Sequence, residues 1–207
     1  MADAKIQVKV ITWGDANRWS QEASDEIKRS GYRVDVAIAI ARGGLAPTRL
    51  IADMVGIRDV ISIKIEHWFE TAKQDKKAEV KYAYKIDLSG KNVLIVDDIC
   101  DTGDSFAAAK RYVQENFNPK EIRTAALQHI KQTARFEPDY YGDALEEWVW
   151  SMYPWNYWED EINLAKKLLD ASKSRDGLEG LFKESYGINP PIPMEMILEE
   201  MQRRGIG

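Results

Sequence analysis

The chain of 207 residues is short of several features that would fix its class at once. It has a single cysteine, Cys100, so no internal disulfide can form, which fits a reducing cytoplasm. No apolar run approaches the ~18–20 residues that a membrane-spanning helix needs. The opening MADAKIQVKV lacks the basic flank and apolar stretch of a secretory signal. Positive charge is not in surplus either. The formal net charge of −5 gives no general attraction to nucleic acid or anionic lipid, so neither is expected as a partner. An anionic substrate must therefore be held by a local site. No strand is followed by G-x-G-x-x-G and no G-K-[ST] occurs, which leaves out a Rossmann dinucleotide site and a Walker loop. Internal repeats and low-complexity tracts are also missing.

What is present reads as a globular α/β protein. Apolar residues make up 44% and charged residues 30%, and the length suits one medium domain with a small appendage. Residues 6–13 read as a strand and 15–29 as an amphipathic helix ending at Gly31. Residues 34–41 (VDVAIAIA) are nearly all apolar, as a buried parallel strand requires, and lead through two glycines into a helix over 47–55. Further strands are expected over 60–65, 93–97, 122–129 and 147–152, with a helix over 105–117. Residues 66–81 are long, charged and poorly patterned, which predicts a loop. Strands alternating with helices imply a mainly parallel sheet of about five strands, covered by helices on both faces. After Pro154 the pattern turns all-helical, with helices over 161–169, 176–186 and 194–204. The expected organisation is a core over residues 1–156 and a helical bundle over 157–207.

Residues 93–106, VLIVDDICDTGDSF, carry the most chemistry. A buried strand delivers Asp97 and Asp98 at its C-terminal end, where open α/β sheets place ligands. A short turn, Asp101, Thr102, Gly103, Asp104 and Ser105, then feeds a helix. Such a turn offers backbone N–H groups, hydroxyls and a helix dipole to an anion. The turn alone would equally suit Asp and Ser residues that cap the helix. Two carboxylates beside it call for a polyol or a metal between them.

This stretch resembles the phosphoribosyl pyrophosphate signature of type I phosphoribosyltransferases. The likeness implies that Asp97 and Asp98 hold the ribose hydroxyls, partly through Mg²⁺, and that residues 101–105 wrap the 5-phosphate. Arg42 and Gly43, in ARGG after the first buried strand, are similar to the family's pyrophosphate loop, in which the peptide before the basic residue can be cis. The alternative is a glycine turn with Arg42 in solvent. The loop 66–81 stands where the family closes a loop over the reacting centre, with His67 and Trp68 in place of Ser-Tyr; His67 receives no general-base role. In WVWSMYPW the family's base-binding strand implies Trp150 as the ring that stacks on a purine, with Ser151 and Met152 beside it, while Trp148 reads as core. Asn156 stands where relatives often carry an acidic residue.

Two residues bear on the base. Asp101 occupies the position at which 6-oxopurine enzymes carry the aspartate that takes the proton at N7, and adenine enzymes usually carry alanine. Lys131 matches the lysine that donates to O6; otherwise it is a surface lysine at a strand end. Both point to hypoxanthine, guanine or xanthine. The whole chain, a 6-oxopurine-like core with a helical C-terminal segment, instead resembles an archaeal adenine phosphoribosyltransferase, and the expectation is tipped to adenine on that likeness. The implied activity is purine salvage in the cytoplasm: phosphoribosyl pyrophosphate and a purine base give a nucleoside monophosphate and pyrophosphate, with Mg²⁺ as cofactor and a homodimer as the assembly. A regulator of the same fold that binds nucleotides without turnover is the other class weighed. It would usually add a basic nucleic-acid module, whereas the C-terminal segment, despite Arg203 and Arg204, holds about ten acidic residues.

Overall fold

The computed structural model describes residues 6–69, 76–172 and 177–206. The chain divides into two compact units, one of Gly14–Trp148 and one of Met1–Trp13 with Val149–Gly207. The boundary expected at Asn156 thus falls inside the second unit.

The larger unit is built on a six-stranded sheet. Its strands are β2 (Val36–Ala41), β3 (Asp59–Phe69), β4 (Lys76–Lys81), β5 (Asn92–Cys100), β6 (Glu121–Ile130) and β7 (Tyr140–Leu145), in spatial order β4-β3-β2-β5-β6-β7. All neighbours are parallel except β3 and β4. Helices α1 (Trp13–Arg29), α2 (Leu45–Val55) and α3 (Asp104–Phe117) complete it. β2 and β5 lie at the centre, which is why their sequences are apolar without alternation. Val36, Ile38, Ile40, Val93 and Ile95 share one core with Phe106, Val113 and Phe117 of α3. Ala37, Ala39, Leu94 and Val96, equally buried, point to the opposite face, as the two-residue period of a strand dictates. The backbone of Trp19 in α1 lies so close to Gly142 of β7 that no side chain fits at that glycine.

Two stretches of this sheet differ from the sequence expectation. Residues 66–81 are largely a hairpin, Glu66 opposite Glu79 and Lys64 opposite Lys81, and not a loop. Glu66 accepts from Lys81 across the strands at 2.8 Å and meets Lys64 on its own strand at 2.6 Å. A charged edge strand hides the alternation by which strands are read, yet protects an edge from aggregation. The side chains of His67 and Trp68, and residues 70–75, lie outside the described residues. β7 was not foreseen, and its Gly142 and Asp143 explain why.

The smaller unit pairs the chain's two ends. β1 (Val8–Val10) and β8 (Trp150–Met152) form a separate two-stranded parallel sheet. Helices α4 (Tyr157–Ser172), α5 (Leu178–Tyr186) and α6 (Met194–Arg203) pack with it. Val8 and Met152 share a core with Leu164, Phe182, Ile197 and Met201. The Tyr157 hydroxyl donates to the carbonyl of Ile11, and the Ile11 N–H donates to Met152 O at 2.8 Å. The strand expected over 147–152 shrinks to three residues for a physical reason: only Met152 of its side chains is fully buried. No helix among the described residues is long and apolar enough to cross a membrane.

One buried acid marks this unit. Glu161 in α4 is fully buried and accepts the N–H of Ile192 at 2.8 Å, while its second oxygen has no hydrogen-bond partner. Burial pushes its carboxyl from 4.5 up to about 7. A carboxyl whose affinity for a proton rises on folding contributes stability below its unfolded value, and that contribution is lost as pH rises through the folded value. Stability should therefore fall between about pH 4.5 and about pH 7 by this contribution. Glu161→Gln, which keeps the acceptor for Ile192, should flatten that slope in thermal melts followed across the range; an unchanged slope would show that Glu161 is not its source.

Candidate active site

The C-terminal end of β5 brings two carboxylates together inside the fold. Asp97 and Asp98 are only 8% and 7% exposed. The Asp98 N–H donates to Asp97 Oδ1 at 3.0 Å. Burial, and then the neighbouring Asp98, holds the proton affinity of Asp97 well above the ordinary carboxylate range. Burying two adjacent carboxylates is costly, and a cation or hydroxyl donors facing the pair would offset that cost.

The turn after β2 meets this pair. The peptide between Ala41 and Arg42 is cis, as the likeness implied, and Arg42 is exposed. Gly43 has no room for a side chain, because a Cβ would fall on the Asp98 carboxylate. A Cβ on Gly44 would collide with the carbonyls of Val96 and Ile40. Both glycines are therefore required by close approach, and they bring the backbone of one strand end against the acids of the next.

The turn 101–105 lines a cavity of about 310 Å³ together with Asp97. Its hinge is Gly103, at φ 86°, which caps α3 without any side-chain bond. The reading in which Asp or Ser merely caps the helix is thus not the arrangement found, and the first turn of α3 faces the cavity. Phe136 lies directly beneath Gly103 and stacks on Phe106, with ring centroids 5.7 Å apart. The Arg135 N–H donates to Thr102 O at 3.0 Å, and its guanidinium meets Asp104 at 3.0 Å. Segment 131–136 is thus the outer brace of the turn, a role no sequence pattern signals. Cys100 is sealed beneath: burial and the carboxylates of Asp97 and Asp101 push its thiol up to about 12, so it is inert as a nucleophile.

Asp101 stands half-buried at the mouth. The Thr133 hydroxyl donates to its Oδ1, and the Trp148 indole N–H donates to Oδ2 at 3.2 Å. Trp148 is therefore not simply core, as its place beside Trp150 suggested; it precedes β8 and belongs to the larger unit. Lys131 is exposed just after β6 and paired with exposed Glu146 at 2.7 Å. That bond keeps its ammonium protonated to higher pH. An ion pair this open is weak and can be exchanged for another partner.

A family model for the phosphoribosyl transferase domain matches residues 14–159. The chain belongs to the phosphoribosyltransferase family. This phosphoribosyltransferase is 27% identical over 157 residues to a xanthine-guanine phosphoribosyltransferase of Nitratidesulfovibrio vulgaris, a match covering 75% of the chain and 88% of that relative. Among solved structures it is similar to a purine phosphoribosyltransferase of Pyrococcus horikoshii, with 28% identity and a TM-score of 0.61 over 72% of this chain and 94% of that one. It shares its fold with a xanthine-guanine-hypoxanthine phosphoribosyltransferase of Helicobacter pylori, with a TM-score of 0.58 at 20% identity over 76% and 99% of the two chains.

The smaller unit of the phosphoribosyltransferase carries the remaining expected residues. Met152 is fully buried, whereas Trp150, on the same face of β8, is 40% exposed. Trp150 lines a cavity of about 330 Å³ with Ile6, Leu164, Asn163 and Lys167. Ser151 points the other way, its buried hydroxyl without a hydrogen-bond partner.

The close fit at Gly43 generates a test. Gly43→Ala should leave a folded protein in which Asp98 is displaced. Its kcat/KM for phosphoribosyl pyrophosphate should fall at least ~10-fold, the scale of a misplaced ligand-binding group. Unchanged steady-state kinetics would show that the turn has no part in the site.

Proposed function

We propose that the chain is a purine salvage enzyme specific for 6-oxopurines, which transfers ribose 5-phosphate from phosphoribosyl pyrophosphate to guanine, xanthine or hypoxanthine. The observation that carries this is Asp101, a carboxylate at the mouth of the phosphate turn, held by two donors in the larger unit that also presents Lys131. The adenine preference tipped by whole-chain likeness has no support among the relatives described, whose names specify xanthine and guanine or purines at large. The alternative weighed beside it therefore replaces it.

In this reading the first turn of α3 and residues 101–105 bind the 5-phosphate, and Asp97 and Asp98 hold the ribose hydroxyls. Arg42 and the backbone at Gly43 meet the pyrophosphate. Lys131 leaves Glu146 to donate to O6, which rejects adenine because an ammonium and an amino group are both donors. Asp101 accepts the proton that the purine imidazole ring loses as its nitrogen bonds to C1 and pyrophosphate departs. Trp150 supplies a stacking face, with Ser151 and Met152 beside it.

A divalent cation is implied by the family. The donors suit Mg²⁺, which takes oxygen ligands and shares its shell with substrate and water, and the raised proton affinity of Asp97 marks a pair that a cation would relieve. Asp97 and Asp98 would hold it. When bound it would neutralise charge on the sugar pyrophosphate.

The test is turnover of guanine, xanthine, hypoxanthine and adenine with phosphoribosyl pyrophosphate and Mg²⁺. At least one 6-oxopurine should exceed adenine in kcat/KM, and Lys131→Met should lower that value about 10- to 100-fold, the worth of one hydrogen bond to a charged donor. Adenine as the best substrate would overturn the base assignment. Binding of phosphoribosyl pyrophosphate without turnover of any base would favour the regulator.

A further inference from the structure

Both oxygens of the Asp101 carboxylate are engaged, and by donors of different kinds. We propose that Trp148, together with Thr133, is a positioning residue of this enzyme: it fixes the orientation of the Asp101 carboxylate for proton transfer from the purine. The inference rests on the reading of Asp101 as the proton acceptor. A lone aspartate on a turn has two side-chain torsions to lose, and a proton-transfer distance tolerates little spread. Here Oδ2 accepts from the Trp148 indole at 3.2 Å, and Oδ1 accepts from the Thr133 hydroxyl.

Each donor is itself held. The Trp148 backbone N–H donates to Gln132 Oε1 at 2.8 Å, which ties it to the residue beside Thr133. The Lys131 N–H donates to Leu145 O at 2.9 Å, at the end of β7, and the Arg135 N–H donates to Thr102 O at 3.0 Å in the phosphate turn. Segment 131–135 is thus fixed at both ends, and Thr133 lies between the two anchors. The carboxylate that meets the base is clamped to the same brace that shapes the phosphate site.

The two donors also suit the proton's arrival. An indole N–H can only donate, so Oδ2 is kept as an acceptor throughout. A hydroxyl can donate or accept, so the Thr133 bond survives when Oδ1 takes the proton and becomes the donor. In that step the purine N–H bond breaks and the Oδ1–H bond forms. The proton leaves N7 and its bonding pair stays in the imidazole ring, while N9 gives its lone pair to C1 and pyrophosphate departs with the pair of the broken C1–O bond.

Trp148→Phe keeps a ring of similar placement and removes the N–H; Thr133→Val and Thr133→Ser separate shape from hydroxyl. If the proposal is right, Trp148→Phe and Thr133→Val each lower kcat about 10-fold while KM for phosphoribosyl pyrophosphate stays within about 2-fold, and Thr133→Ser restores kcat. Melting temperature and the affinity for phosphoribosyl pyrophosphate, measured by calorimetry, report whether each variant is folded. Folded Trp148→Phe with the parent kcat overturns the role of Trp148. A Thr133→Ser variant as slow as Thr133→Val overturns the role of the hydroxyl. Asp101→Asn in the same assay separates the two levels: a near-normal rate removes Asp101 from proton transfer and this proposal with it, whereas a dead Asp101→Asn beside a fully active Trp148→Phe removes only the positioning.

Discussion

Two adjacent carboxylates buried at the end of β5 are the constraint on which the larger unit depends. Water would hold Asp97 and Asp98 ionised at little cost, but the fold withdraws both from it, and the proton affinity of Asp97 rises in consequence. β2 ends in two glycines, one pressed against Asp98 and one against the carbonyls of Val96 and Ile40. A side chain at the first would displace the Asp98 carboxylate, and one at the second would push β2 and β5 apart. The acids, the glycine turn and the phosphate turn are therefore one construction, and the chemistry proposed for each follows from its place in it.

Much of that construction is legible from residue type. The apolar runs of β2 and β5, the acidic pair, the glycine pair and the turn into α3 all appear where spacing puts them, because buried parallel strands leave an unbroken hydrophobic signature. The hairpin of β3 and β4 is not legible, since the few apolar residues by which it joins the core, Ile65, Ala78 and Val80, are scattered among charges such as Lys64, Glu66 and Lys81. Nor is the brace around the phosphate turn. Thr133, Arg135, Phe136 and Trp148 belong to no motif; each braces the turn through contacts to residues 30 to 47 positions away, and periodicity carries no record of those. Trp148 shows the limit most clearly. Its spacing from Trp150 suggests one strand with a shared core face, yet one ring donates to Asp101 and the other lines a cavity beside α4.

The smaller unit follows a different logic. Strands of three residues cannot stand alone, so β1 and β8 are stable only as a floor for α4, α5 and α6, whose apolar stripes need covering. This is why the boundary falls beside Trp148 and not where helices begin. It also ties the residues proposed to bind the base, Trp150 to Met152, to the packing of the C-terminal helices, with Met152 itself in their core. Changes in those helices can therefore reach β8.

The central claim is that Asp97, Asp98 and the turn 101–105 form a cradle for a ribose 5-phosphate bearing pyrophosphate. Isothermal titration of phosphoribosyl pyrophosphate in Mg²⁺, against the parent protein and the Asp97→Asn/Asp98→Asn double variant, addresses it most directly. Loss of at least ~10-fold in affinity by a variant that melts no lower than the parent is the predicted result, since removing two buried carboxylates removes their mutual repulsion and desolvation cost. Equal affinity in the two proteins would contradict the account.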